Sequence, residues 1–451
     1  MIHETQEKID TFPDVSTQFG ELIALKPKPV ACYVPTNKVE QQEAFLSGKI
    51  RNPDHVYAKL DDIDFDERLS VIRQVGNEIS SNPNLNPKHA AAYEEFVDVY
   101  VKKTRLMQLA HDYKVAQDPL EKEYIAQEYK NLNIELYGEP DKATYRSFLQ
   151  EKLNDIAKKQ LTGQAALLRN ELFAMADFDD SRETIERFKP SDETVEWMHG
   201  VANTLYGGML SHVPEQEEFS ETEVQCIFQE IIREEFGEAA DGWTVDVEPA
   251  RSITVKASEK RIVIPDDRGE VTREELQDLV GHEIGVHMLR AIIGGETDLD
   301  LLKDGLSDYE GAEEGLGKVM GQALAGEFAE AGADHYITVG AKYFDRKDFR
   351  DIFELKWRLE ALYSMEDGEE LTEEATKKAR NVGYGNTLRI LRGTDELAWL
   401  KDLSYYNGSV DMWRHLEEIR GDDVKFMFVL MGKSNPANSA HERVMYETAT
   451  P

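Results

Sequence analysis

Residues 281–290 read GHEIGVHMLR and set His282, Glu283 and His287 in one apolar, helix-like stretch. Two imidazoles and a carboxylate this close together can hold a catalytic metal. Their spacing is unusual. Histidines that share an ion from one α-helix normally stand four residues apart, about 40° around the axis, whereas a five-residue separation turns them about 140° apart. A widened turn of about 4.4 residues brings such a pair back to roughly 50°. Gly285, between the histidines, lowers the cost of leaving regular helix geometry. The sequence therefore predicts a π-type turn over 282–287; with a regular α-helix there the pattern is an accident.

Outward from this stretch, Thr272 and Glu275 form a capping box, and Leu276, Leu279, Val280, Ile284 and Met288 supply an apolar stripe. Gly294-Gly295 marks its end. Upstream, WTVDVEPA (243–250) and SITVKASEKRIVIP (252–265) are rich in Val, Ile and Thr and predict short antiparallel strands. One edge of this sheet either runs beside the metal, where an extended peptide could add as a strand, or simply covers the helix. Two further helices are expected, through ETVEWMHGVANTLYGGML (193–210) and after Ser220, which forms a capping box with Glu223; Gly237 fits the end of the second.

Tetrahedral catalytic zinc needs a third protein ligand and an open position. GAEEGLGKVMGQALAGEF (311–328) predicts a helix that opens with Glu313 and Glu314. Glu314 shares a face with Gly317, Gly321 and Ala325, a ladder of small residues that permits close helix approach. Glu313 lines up with Leu316 and Met320 instead. Glu314 is therefore the expected ligand and Glu313 a supporting or substrate-facing group, although carboxylates also favour a helix's first turn for its dipole alone.

The 451-residue chain is long enough for two or three cores, and its Lys and Arg (52) against Asp and Glu (88) give a formal charge of −36. That surface disfavours nucleic acid and anionic membranes. No run approaches the roughly 18 apolar residues of a membrane span, and Cys32 and Cys226 are too few for a disulfide framework. A soluble, cytoplasmic protein is expected, with any metal bound by nitrogen and oxygen. Prolines 13, 27, 29, 35 and 53 predict an extended N-terminal arm over 1–65. Apolar residues recurring at three and four predict a helical region over 66–189, interrupted near Gly138 and Pro140. A domain over 190–432 carries the motifs, and 433–451 reads as a loosely held tail. His89 and His111 lack partners at ligand spacing.

GHEIGVHMLR followed by LKDGLSDYEGAEEGLGKVM (302–320) resembles the metallopeptidases with an H-E-x-x-x-H helix and a downstream Q-E-G-L-A signature, among them the microtubule-associated tyrosine carboxypeptidases and their bacterial relatives. PTNKVEQQEAFLSGKIRNPDHVYAKL (35–60), ELYGEPDKATY (135–145) and RGTDELAWLKDLSYYNG (392–408) are also similar to that family's pattern, so the likeness covers most of the chain. It implies a mainly α fold with a small antiparallel sheet around a zincin-like core. It implies zinc on His282, His287 and Glu314, with Glu283 as general base, and hydrolysis of a peptide bond at a peptide or protein C-terminus, tyrosine or another aromatic being the suggested residue.

The signature departs from the family at both ends, with Glu313 for Gln and Gly317 for Ala, and IIGGETDLD (292–300) differs from relatives beside the substrate site. A carboxypeptidase must also grip a free carboxylate, best done by arginine. Arg392 is the first candidate, because Gly393, Lys401, Tyr405 and Gly408 beyond it resemble the family's substrate-side wall; Arg290 is the second. Tyr405 is a candidate oxyanion donor, and His335 a spare metal or transition-state contact. An acidic tubulin-like tail would be repelled by this surface unless charge is segregated. Endopeptidase and aminopeptidase activity, and a non-catalytic metal-stabilised binding protein, are the competing readings.

Overall fold

The computed structural model describes residues 14–250 and 252–449. Helix is favoured wherever apolar residues recur at three and four, and the region after residue 65 delivers Phe65–Ser80, Ala90–Val115, Pro119–Tyr137, Lys142–Lys158 and Gly163–Ala176. Asp64, Asp118 and Asp141 cap three of these by accepting from backbone N–H groups of the first turn, each cap worth about 1 kcal/mol. Gly138, at φ +82°, turns the chain between Pro119–Tyr137 and Lys142–Lys158.

The N-terminal region differs from expectation. Residues 1–13 lie outside the described residues, but 14–65 are not an extended arm: they form helices Val15–Ala24, Pro29–Cys32, Lys38–Leu46 and Ala58–Asp61. Pro29 starts a helix, since the first helical position has no N–H bond to lose. Phe19 and Leu22 pack with Leu299, Leu301 and Leu302, while Phe45 is buried against Phe349, Phe353 and Tyr384. Residues after 432 are also held: helix Ser439–Ala449 buries Val444 and Met445 in the same core as Phe19. Among the described residues, three of the four cores thus draw side chains from both sides of the boundary expected at 189.

Among the described residues five strands form two sheets: β1 (Glu218–Phe219), β2 (Thr244–Glu248), β3 (Thr254–Lys256), β4 (Arg261–Pro265) and β5 (Val271–Thr272). β1 and β5 pair antiparallel, a two-residue ladder too short to leave a signal in the sequence. The larger sheet has the order β2-β4-β3, with β3 and β4 an antiparallel hairpin but β2 parallel to β4. The expectation of a wholly antiparallel sheet is therefore corrected. Its cause is β4, whose Ile262, Val263 and Ile264 are all buried: a continuous apolar run marks a central strand covered on both faces. β3, left at an edge, lies against the histidine-bearing helix. No helix among the described residues is long and apolar enough to cross a membrane.

Candidate metal centre

Thr272 Oγ1 accepts from the Glu275 amide at 3.2 Å and Glu275 Oε2 from the Thr272 amide at 2.9 Å, closing the capping box. The helix runs as α over Arg273–Leu279, as π over Val280–Met288, and as α again over Leu289–Gly295. The wide turns bring the two histidines together, with ring centroids 4.7 Å apart and planes at 82°. Tyr206 supports the widened segment. Its hydroxyl donates to the Gly285 carbonyl at 2.9 Å, and its ring lies 2.7 Å from where a Cβ on Gly285 would stand. Glycine at 285 thus serves close packing as well as the turn.

Helix Tyr309–Ala325 crosses alongside on small residues. A Cβ on Gly317 would meet Cε1 of His282 at 2.4 Å, and one on Gly321 would meet Oδ1 of Asp278 at 2.0 Å. This closeness delivers Glu314, whose Oε2 is 3.9 Å from Nε2 of His282. Ligand atoms of His282, His287 and Glu314 all lie within 4.8 Å of one another. Two imidazoles and one carboxylate form a donor set that fits zinc.

The outward-facing nitrogens are also engaged. Nδ1 of His287 is 2.9 Å from Oε1 of Glu313, and His282 hydrogen-bonds the backbone of Gly317. Such partners fix ring orientation and leave Nε2 for an ion. Glu313 pairs through its other oxygen with Arg290, which is fully buried and donates to the Ser434 carbonyl at 2.8 Å. Arg290 and Glu313, both candidate substrate contacts by sequence, are therefore the support behind His287. Both are occupied by each other and shut away from solvent.

Burial holds His282 well below the usual histidine range, with His287 and Lys318 adding to the effect, so the imidazole is neutral and ready to ligate. In His287 burial acts downward too, but the bond and charge of Glu313 outweigh it and the net shift is upward. Burial lifts Glu283 to about 7, Glu314 pushing the same way and His287 opposing. Glu313 is penalised by burial yet held at about 2, chiefly by Arg290 and then by His287.

No family model, curated protein or solved structure matches the chain. What its residues can do rests on their own arrangement. Lys401 and Tyr405 both lie close enough to Glu314 for its charge to act on them. Lys401 lines a 540 Å³ pocket with Tyr137, Glu310 and Asn407. Tyr405 lines a second, of 600 Å³, with Lys318, His335 and Arg389. His335 stays outside the ligand group, its ring 5.4 Å from that of Tyr405, and burial lowers it to about 4.

Arg392 is displaced from its expected place. It is 4% exposed, and its guanidinium stacks 4.4 Å over the Trp399 ring, in the core beneath the wall. The arginine on the pocket is Arg389, whose Nη2 donates to the Tyr405 hydroxyl at 3.2 Å and which pairs with Asp402 through Nε at 2.5 Å and Nη2 at 3.0 Å. Sequence reasoning missed it, although it stands only three residues before Arg392. Lys318 was missed too, despite lying one helical turn beyond Glu314. Nothing in the sequence marks Tyr206 as the support of the π-turn.

Proposed function

We propose that this chain is a zinc-dependent peptidase, acting as a carboxypeptidase on the C-terminal residue of a peptide or protein. The observation that carries the reading is Glu283. It is 8% exposed, makes no ion pair among the described residues, and stands next to three converging ligand atoms. A buried carboxyl without a partner destabilises the fold, and a purely structural metal site has no use for one.

Zinc, when bound, supplies a Lewis acid that polarises the scissile carbonyl and acidifies water. Glu283, poised near neutrality, takes the water's proton and passes it to the departing amine. Water and peptide thus yield a new carboxylate and a free amino acid. Tyr405, whose hydroxyl is held by Arg389, offers a donor for negative charge developing on the carbonyl oxygen. Lys401, half-buried beside Glu314, offers an ammonium for the chain-end carboxylate.

The test is Glu283→Gln. It should retain about one zinc per chain, as an intact three-ligand site does, while hydrolysis falls by about a hundredfold or more. Undiminished turnover in this variant removes the mechanism. Paired peptides differing only in a free or amidated C-terminus then separate a carboxypeptidase from an endopeptidase or aminopeptidase.

A further inference from the structure

Four donors converge on the carboxylate of Asp395, in a part of the fold that the reaction above does not use. Oδ1 accepts from Nδ1 of His55 at 2.7 Å and from the Tyr57 hydroxyl at 2.6 Å. Oδ2 accepts from the His55 amide at 2.8 Å and from Nζ of Lys114 at 3.0 Å. His55 and Asp395 are 1% and 6% exposed. The ionised carboxylate only accepts, so Nδ1 of His55 carries a proton; Nε2 lies 2.8 Å from the Tyr384 hydroxyl.

The backbone at this point is strained. Asp395 sits at φ +65° and Gly393 at φ +92°, where a side chain would run into the ring of Tyr33 at 2.8 Å. A non-glycine residue in the left-handed region persists where its surroundings over-determine it. Here the four bonds do so.

The loop joins two pieces of the substrate-side wall. Before it, helix Glu373–Leu391 carries Arg389; after it come Lys401 and Asp402 in the turn Leu400–Leu403, and Tyr405 in helix Ser404–Glu418. Arg389 and Asp402 pair across the gap that the loop spans. The position of Lys401 and Tyr405 relative to Glu314 therefore depends on how the loop closes.

We propose that Asp395 is a positioning residue: clamped by His55, Tyr57 and Lys114, it fixes segment 400–409 against Glu314, and residues 54–57 are a working part of the site. The kinetic arm of this inference rests on the peptidase reading; the structural arm does not.

Full-length zinc-loaded protein is compared with Asp395→Asn, which keeps the side-chain size but replaces one acceptor with a donor facing donors. Amide hydrogen exchange should quicken about tenfold in peptides covering 400–409, with 280–290 and 309–325 unchanged and zinc content intact. On a hydrolysed peptide, kcat/KM should fall about tenfold, mainly through KM. Unchanged exchange in 400–409, or equal acceleration in all three segments, overturns the proposal by leaving Asp395 a general stability role. If wild type hydrolyses no peptide, the peptidase reading fails while the exchange pattern still decides this one. Tyr57→Phe removes a single bond and should give the same pattern at about threefold, so the test survives a poorly folding Asp395→Asn.

Discussion

Oε1 of Glu313 lies 2.9 Å from Nδ1 of His287, and the same carboxylate holds the buried guanidinium of Arg290. The outer carboxylate is thus fixed before it fixes the imidazole. Glu313→Gln keeps the shape but loses the charge that favours a ligating tautomer with Nδ1 protonated. Zinc affinity should fall about 10- to 100-fold, measured by competition with a chromogenic chelator. Affinity equal to wild type would show that Glu313 merely fills space.

The π-turn depends on Tyr206 in a way that a single atom tests. Its hydroxyl satisfies the Gly285 carbonyl inside the widened segment. Tyr206→Phe leaves that buried acceptor unmatched at a cost of about 1–3 kcal/mol. Thermal melting should register the loss, and zinc affinity should drop with it, because the turn that unites His282 and His287 is what has been weakened. A lower melting temperature with unchanged zinc affinity would separate the turn from the hydroxyl.

Two glycines on one helix should respond oppositely to the same change. A Cβ on Gly315 would lie 2.2 Å from the carbonyl oxygen of Gly408, a backbone atom that cannot rotate away, whereas one on Gly311 finds only Ser404 Cβ at 4.0 Å. Gly315→Ala should force apart helices Tyr309–Ala325 and Ser404–Glu418 and cost about 1–3 kcal/mol or more. Gly311→Ala should be neutral or stabilising by up to about 1 kcal/mol through helix propensity. Denaturant unfolding of the two variants decides; equal effects would mean the helices do not meet as closely as these distances imply.

Acid should loosen the site in a defined window. Burial opposes ionisation of Glu313 and Asp402, yet Arg290 and Arg389 respectively hold each at about 2. A carboxylate with a depressed folded value stabilises the fold above its unfolded value, near 4, and loses that contribution as pH falls through the folded one. Stability should therefore decline between about pH 4.5 and 2. Asp402→Asn should be less stable than wild type at neutral pH and should decline less steeply across that window. An unchanged slope would mean that Asp402 ionises alike in both states.

Much of this arrangement was legible from particular residues. Five-residue histidine spacing admits one ion only through a π-turn, and the turn is there; the small-residue face of 314, 317 and 321 likewise indicated which glutamate faces the histidines. Local periodicity and caps located the helices. What was not legible depends on partners far away in sequence. Prolines 27, 29 and 35 punctuate short helices as readily as they break long ones, so only the burial of Phe19, Leu22 and Phe45 shows that residues 14–61 are built into the body. The apolar run Ile262, Val263 and Ile264 marks β4 as central, but the side-chain pattern of β2 does not say which way it runs beside β4. Arg389 and Arg392 are the same residue type three positions apart, and only the contacts with Asp402 and Trp399 tell the wall from the core.

Lys401 gives the sharpest test of where a chain end binds. It makes no ion pair within 4 Å among the described residues, although burial disfavours its charge, and it is kept protonated by Glu314 and Glu310. A half-buried ammonium with acidic neighbours but no direct partner retains hydrogen-bonding capacity for an incoming carboxylate. Lys401→Met preserves the aliphatic stem and removes that capacity. KM for peptides with a free C-terminus should rise about 10- to 100-fold, the worth of one charge-assisted hydrogen bond, while kcat moves little, since the contact is the same in ground and transition states. Amidated peptides, if they are cut at all, should be indifferent to the substitution. An equal loss on both peptides would place Lys401 among the groups that hold Glu314 and Tyr405, and the chain-end carboxylate would then need another cation, for which Lys318 is the nearest along the same helix face.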